Sequence, residues 1–594
     1  MKWVAVGAMA ALLAIVLFLL ALTQPRFGTP FANWALGVWG PEGSSVEWAW
    51  LKFPAVTTAA GEGLEMPGRL TAATVEARAN PFGFLPGISW VSRLEGRDGV
   101  LLVGERDDGS DRRKKRLSDY RAMIDQLAVQ NVEVRLTRAD GERVIEVADA
   151  HGSLRSGALA IEASGAGSAM SFDGKSSNSL GAINGALRVS GDNFANLADL
   201  VGLAAPDTPP YDVLMDIDLS DGAWRFDVRP ETRIGDSDVA GPVNVTLGGE
   251  TPVIEADLVS RTLDGDDLGI VFGIPIGVGE NETVGTTQTR AREAYDRSDR
   301  LIPDVEIDFA RLDAVDGRIS YRAEAVEDTV FDVTGLELDF EIDGRVVRTP
   351  LIKLDFEQGS LDAYMTIDGS RSPAVTTAEG NLRSVAIANL ALDPYLRGTA
   401  EGRFKVEATG NGFRDSASTL DGKVSIWSTD ADIMALAVEG AGLDLGEALT
   451  VLGESPDDRT YADTRCLAAV LTFEQGIGAL FPAVVDTDDS VVLLRGDVNL
   501  ATEALDLDVR SDAKDVSFGT LIGDVRIEGT LRNPQLQALS GETLAQVTVA
   551  ALLGSLSGGL GALPFIEPGM AKDAPCAQLL GYAETVTDNS SASD

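Results

Sequence analysis

The chain has 594 residues, with 92 Asp and Glu against 49 Lys and Arg, a formal net charge of −43. An acidic balance of this size excludes a nucleic-acid partner, because phosphate contacts need clustered cations. A single histidine, His151, and two cysteines, Cys466 and Cys576, exclude zinc sites built on several imidazoles and leave little material for nucleophilic catalysis.

In chain order, Trp3 to Thr23 is 21 residues without a charge, enough to cross a bilayer as a helix at about 1.5 Å per residue. It reads as an uncleaved, single-pass anchor, with a cleaved signal as the alternative. Lys2 before it sets a short inside terminus and places the bulk of the chain outside the cytoplasm. Residues 26–115 mix aromatics, Gly and Pro. Trp34 and Trp39 belong either to the membrane surface or to the packing of the first strands. Arg112–Arg116 is either a solvated loop or a contact for anionic headgroups.

From about 124 onward the alternation of a half-buried strand dominates. Val132–Leu136, Asp212–Leu219 and Trp224–Val228 alternate, with turn signals at Asp140-Gly141 and Asp221-Gly222. Asp149–Ser153, around His151, reads as a polar turn. Asp173-Gly174 and Asp421-Gly422 read as hairpin turns rather than phosphate loops, since both lack the first P-loop glycine. Asp264-Gly-Asp-Asp267 reads as an acidic turn without EF-hand spacing. The clearest strand is Leu336–Asp343, where Leu336, Leu338, Phe340 and Ile342 alternate with four acids. Such a strand has one greasy face and one wet face.

Gly241-Pro-Val-Asn-Val245 and Gly496-Asp-Val-Asn-Leu500 form a weak internal repeat, each after an Asp-Ser pair. Helices are expected at Asp192–Val201, Ala441–Leu452, Thr543–Leu553 and Lys572–Tyr582. The organisation expected is a membrane anchor at 1–25, a β region at 26–265, a linker or insertion at 266–300, and a second β region at 301–540. A helical cap follows at 541–585, then a disordered tail at 586–594. The two cysteines either pair, closing a loop of about 100 residues at a stabilisation of about 4–5 kcal/mol, or remain buried thiols.

Several C-terminal segments resemble the AsmA family. They are Arg510–Asp515 with Gly519–Pro534, the closing stretch Leu563–Leu579 with its Asp573-x-x-Cys576, and Tyr461–Cys466. Asn196–Leu203, Pro209-Pro-Tyr211 and Gly235-Asp-Ser-Asp238 resemble it too. The likeness covers about 190–585; 26–190 match weakly and 277–300 depart from the pattern. The resemblance implies an inner-membrane anchor in a Gram-negative bacterium, with the bulk of the chain in the periplasm. It implies kinship with bridge-like lipid transfer proteins and a part in phospholipid traffic and outer-membrane assembly. It brings no catalytic residue, cofactor or metal.

The fold expected is therefore mainly β: an elongated, curled antiparallel sheet forming a groove, with a few short helices and one N-terminal transmembrane helix. Leu336, Leu338, Phe340, Ile342, Leu354 and Phe356 are the expected lipid-facing residues, and phospholipids the expected partners, with the outer membrane or other envelope proteins as further ones. The alternative is a non-enzymatic scaffold that binds envelope proteins through its sheet edges.

Overall fold

The computed structural model describes residues 13–39, 42–54, 57–82, 88–104, 124–138, 141–177, 182–201, 208–220, 222–249, 251–265, 267, 283, 286–298, 300–304, 309, 313, 315–327, 332–387, 396–434, 461–514, 517–518, 525–537, 566–567 and 571–587. The protein is mainly β with few helices, and its sheet does not close on itself. It divides into two compact units, one of residues 1–234 with 239–249, the other of 235–238 with 250–594. The division falls ahead of the expected 266–300 linker, whose described part belongs to the second unit.

The first unit is a meander that starts at Ser45–Leu51 and pairs, strand by strand, to Tyr211–Ser220 and Ala223–Val228. One step breaks the expected antiparallel rule: Val91–Gly104 and Ile124–Arg138 run parallel. A parallel step needs a long crossover, and 105–123 lie between them, so the Arg112–Arg116 expectation falls outside the described residues. His151 is not in a turn. It sits exposed in the strand Gly141–Ser153, its Nδ1 2.8 Å from Asp149 on the same face. Asp173-Gly174 is strand interior as well, within Ser168–Ser176.

The second unit pairs Val253–Ser260 in parallel with Asp316–Ala323 and then runs antiparallel through Val525–Thr530 and Pro534–Gln537. The crossover demanded by its parallel pair is the segment read as a linker. Within it, Thr286–Asp296 is a helix, supported by an Arg292–Asp296 pair one turn apart. It has no apolar stripe, so periodicity does not reveal it.

The segment then laces the turns at one end of the strands. Arg532 donates to the Tyr295 and Arg300 carbonyls, at 2.8 and 3.0 Å, and its guanidinium lies 4.5 Å over the Tyr295 ring. The Glu503 carboxylate, fully buried, accepts from the Leu301 and Ile302 amides. Arg414 pairs with Asp304 and donates to the Ile302 carbonyl. Arg345 donates to Asp313 at 2.7 Å and the Gly344 amide to Asp316 at 2.8 Å.

Helix Phe194–Val201 matches its expected place, with the Asn193 side chain accepting from the Ala195 amide. The last helix is Cys576–Thr585, later than expected, because Pro575 ends the extended lead-in and stands at its N-cap. The expected helices at Ala441–Leu452 and Thr543–Leu553 lie outside the described residues.

Of the expected Trp3–Thr23 span, residues 3–12 lie outside the described residues. Among the described residues no single helix is long and apolar enough to cross a membrane; Leu13–Leu22 and Pro25–Val38 pass that test only together, bent by 93°. Pro25 after the Thr23-Gln24 break explains the corner, since proline opens a new helix more readily than it continues one.

The repeat glycines share one backbone state: Gly241 has φ 140 and Gly496 φ 134. A side chain on Gly496 would run into the Asp506 carbonyl of the neighbouring strand. Only glycine fits there.

Candidate functional site

The registers of the second unit bring one class of residue into line. Leu258, Tyr321, Leu338, Ile352, Ala363, Gly380, Phe404, Val424, Leu471, Leu480, Gly496, Leu507 and Ile527 are successive cross-strand partners. The row crosses thirteen strands without a polar side chain other than the Tyr321 hydroxyl. At about 4.8 Å per strand, its twelve steps span about 58 Å. A second row beside it reads Leu336, Leu354, Leu361, Leu382, Gly402, Ile426 and Ala469. Together they make an apolar wall whose large side chains are mostly half-buried.

The other face carries the charge. Arg322, Glu337, Lys353, Asp362, Asn381 and Arg403 are successive partners there. Lys353 bonds Asp355 at 2.9 Å, Arg383 pairs with Asp362 at 2.7 Å, and Arg318 with Glu341 at 2.6 Å. The Lys353 ammonium is held above its usual pKa, first by that Asp355 hydrogen bond. This face needs no cover, because its ions remain in water.

Five of the six residues expected to line the wall, Leu338, Phe340, Ile342, Leu354 and Phe356, are half-buried. Leu336 is only 4% exposed and clusters with Leu263 and Ala323, with Tyr321, Val326, Leu338 and Leu354 packed against them, so it is part of a core that the neighbouring wall residues also touch. The short strand pair Leu263–Asp264 and Val326–Glu327 brings Leu263 and Val326 there. A larger core of Ile387, Ala400, Ala431, Ile433, Leu467, Val485 and Val492 fills the wall near the opposite strand ends from the lacing segment.

Two glycines on this wall stand opposite a phenylalanine of the neighbouring strand for a steric reason. A methyl group on Gly380 would lie 2.6 Å from Cζ of Phe404, and one on Gly478 would lie 2.5 Å from Cε1 of Phe473. The rings reach over the glycines, so apolar surface is kept where the side chain is missing.

The first unit has the same grammar. Val46, Leu64, Ala72, Gly99, Val132, Val147, Ala163, Met170, Val189 and Val213 are successive partners. A parallel row reads Leu51, Ala59, Ala77, Leu94, Leu127, Gly152, Leu159, Gly174, Gly185 and Ile217. Phe172 covers the facing pair Gly174 and Gly185, with its ring 2.6 and 2.9 Å from where their methyl groups would be. That is why Gly174 belongs to a strand although Asp-Gly is a turn signal.

The acidic sequence motifs are absorbed by structure. Asp267, buried, accepts from the Asp236 and Ser237 amides at 3.0 Å each and from the Ser237 hydroxyl at 2.6 Å. Asp238 accepts from the Arg261 and Thr262 amides at 2.7 and 3.2 Å. Burial raises its pKa, but these bonds and the Arg261 guanidinium outweigh that and hold it low.

Cys466 and Cys576 form a disulfide with Cα atoms 5.8 Å apart. Cys466 points away from the wall, on the same side as Ala468 and Val470. There helix Cys576–Thr585 packs Ala583 and Leu579 over Ala468, Val470 and Trp427. The helix therefore covers an apolar patch on the charged side, not the wall. Beside the bond, Asp486 is fully buried, 2.7 Å from Lys514 and 3.3 Å from Arg465; Asp573 is 2.8 Å from Lys514. Cys466, Asp486 and Cys576 are close enough to hold an ion, but both sulfurs are committed to each other.

No family model matches the chain. It is similar to the AsmA family protein YhjG of Escherichia coli (strain K12), at 25% identity over 426 residues, 69% of this chain. The matched region spans 61% of that relative's length.

Proposed function

From the AsmA-family membership that the YhjG relationship supports, and the envelope role that goes with it, we propose that this protein carries lipid acyl chains along its apolar walls without catalysing a reaction. The observation that carries the reading is the unbroken apolar row from Leu258 to Ile527. A half-exposed apolar strip about 58 Å long is the kind of surface that marks a binding site rather than plain solvent contact. An acyl chain suits it: burial stabilises by about 0.8 kcal/mol per methylene, and similar rows at every strand make successive positions nearly equal in energy. Headgroups remain in solvent, and the salt-bridged face keeps the sheet soluble. The localisation that fits is an inner-membrane anchor with the sheet in the periplasm.

The test is lipid co-purification with the full chain, read by mass spectrometry. Ile352→Glu and Leu507→Glu, each placing a carboxylate in the middle of the row, are expected to lose bound phospholipid while circular dichroism stays unchanged. Asn381→Asp, on the charged face, should keep it. Equal lipid content in all variants, with an envelope protein trapped by cross-linking at the sheet edge, would establish the scaffold reading instead.

A further inference from the structure

The helix Pro25–Trp39 presents two unlike faces. One is clipped to the edge strand Ser45–Leu51. The Asn33 side-chain amide donates to the Val46 carbonyl at 3.0 Å and accepts from the Val46 amide at 2.8 Å, in the manner of a neighbouring strand. Thr29 Oγ1 accepts from the Ala49 amide at 2.9 Å. Gly28 is buried there, and a side chain on it would collide with the Ala49 carbonyl. The sheet edge, which would otherwise offer unpaired amides, is thereby closed.

The other face carries Phe27, Phe31, Trp34 and Val38, spaced by four, three and four residues and 45–56% exposed. These positions lie on one side of a 3.6-residue helix, opposite Thr29 and Asn33. The stripe continues into the preceding helix, since the Phe18 ring meets Phe31 edge-on at 6.0 Å and Phe31 meets Trp34 at 5.7 Å. That preceding helix is uncharged throughout its described length and exposes Leu13, Ile15, Leu17 and Phe18, each more than half. The bend between the two is 93°. In a chain of net charge −43, the helix Pro25–Trp39 has no acid and one cation, Arg26.

We propose that Pro25–Trp39 lies in the plane of a phospholipid bilayer surface, its aromatic stripe in the interfacial zone, and so seats the first strand of the sheet against the membrane. A right-angle corner lets one helix enter along the bilayer normal while the next lies flat. Phenylalanine and tryptophan suit the headgroup boundary, and Arg26 without a neighbouring acid suits anionic headgroups. The inference does not depend on lipid transport.

The experiment places a photo-crosslinking phenylalanine analogue, one position at a time, at Phe27, Phe31, Trp34, Val38, Leu36 and Leu17. The full chain is reconstituted in vesicles of phosphatidylethanolamine and phosphatidylglycerol, and adducts are read by mass spectrometry. Lipid adducts from the four stripe positions are expected, with Leu36, on the docked side, joining instead to Ser45–Leu51. Stripe positions that give a covalent dimer would assign the face to a second copy and overturn the proposal. No lipid adduct from the stripe would overturn it too, whether or not Leu17 reacts. Failure of the lipid-carrying reading leaves these adducts unchanged, so the two are distinguishable.

Discussion

The Phe404 ring lies over Gly380 of the neighbouring strand, so closely that a methyl group on Gly380 would sit 2.6 Å from Cζ. Neither residue suits the wall alone: the glycine leaves a gap and the ring needs floor space. Gly380→Val should force the ring off its seat, costing about 1–3 kcal/mol, and Phe404→Ala should cost a similar amount by uncovering the gap. The double variant should be less destabilised than the sum of the two. Denaturant midpoints of the four proteins check the coupling.

Glu503 holds the lacing segment through the Leu301 and Ile302 amides. Glu503→Ala leaves both donors without their acceptor, a loss of about 1–3 kcal/mol for each. Faster hydrogen exchange is expected at 300–304, with protease cleavage near Arg297 or Arg300 and the central strands protected as before. Unchanged exchange there would remove Glu503 from this role.

Reduction of Cys466–Cys576 should release the last helix from the charged side. The bond spans 110 residues, for which chain entropy gives about 4–5 kcal/mol. Cys576→Ser should expose Trp427, Ala468 and Val470, read as a tryptophan emission shift and as tryptic cleavage near Lys572.

The ion cluster beside that bond makes stability depend on pH at both ends. Hydrogen bonds from Lys514 and then Arg465 hold the Asp573 carboxyl below its usual range. Its folded pKa is depressed, so its contribution is present above the unfolded value of about 3.9 and is lost as pH falls through the folded one. Burial works against the Lys514 ammonium, yet Asp486 and Asp573 outweigh it and raise its pKa. That contribution is present below the unfolded value of about 10.4 and is lost as pH rises through the folded one. Asp573→Asn should flatten the acid limb of a denaturant-midpoint profile and leave the Asp238 contribution to it intact.

The strand grammar was legible because alternation is local. Leu336–Asp343 announces two unlike faces from its own eight residues. The lacing segment was not legible: Thr286–Asp296 has no apolar period, and it is held by Glu503, Arg414 and Arg532, more than 100 residues away. Gly174 misled for a related reason. Asp-Gly signals a turn through glycine's access to positive φ, whereas Gly174 is held in the ladder opposite Gly185 with the Phe172 ring beside both.

The sequence alone determined the class of surface: mainly β, acidic, with a single histidine and with greasy and charged residues alternating. Those are properties of composition and of a period of two, which need no partner strand. Tertiary structure decided which greasy residues align, since register depends on bulges and turns that place Leu338 beside Ile352 and Phe404 beside Gly380. It also decided that Leu336 belongs to a core and that the disulfide-bound helix sits behind the wall. Each of these depends on contacts between segments far apart in the chain, which local pattern cannot encode.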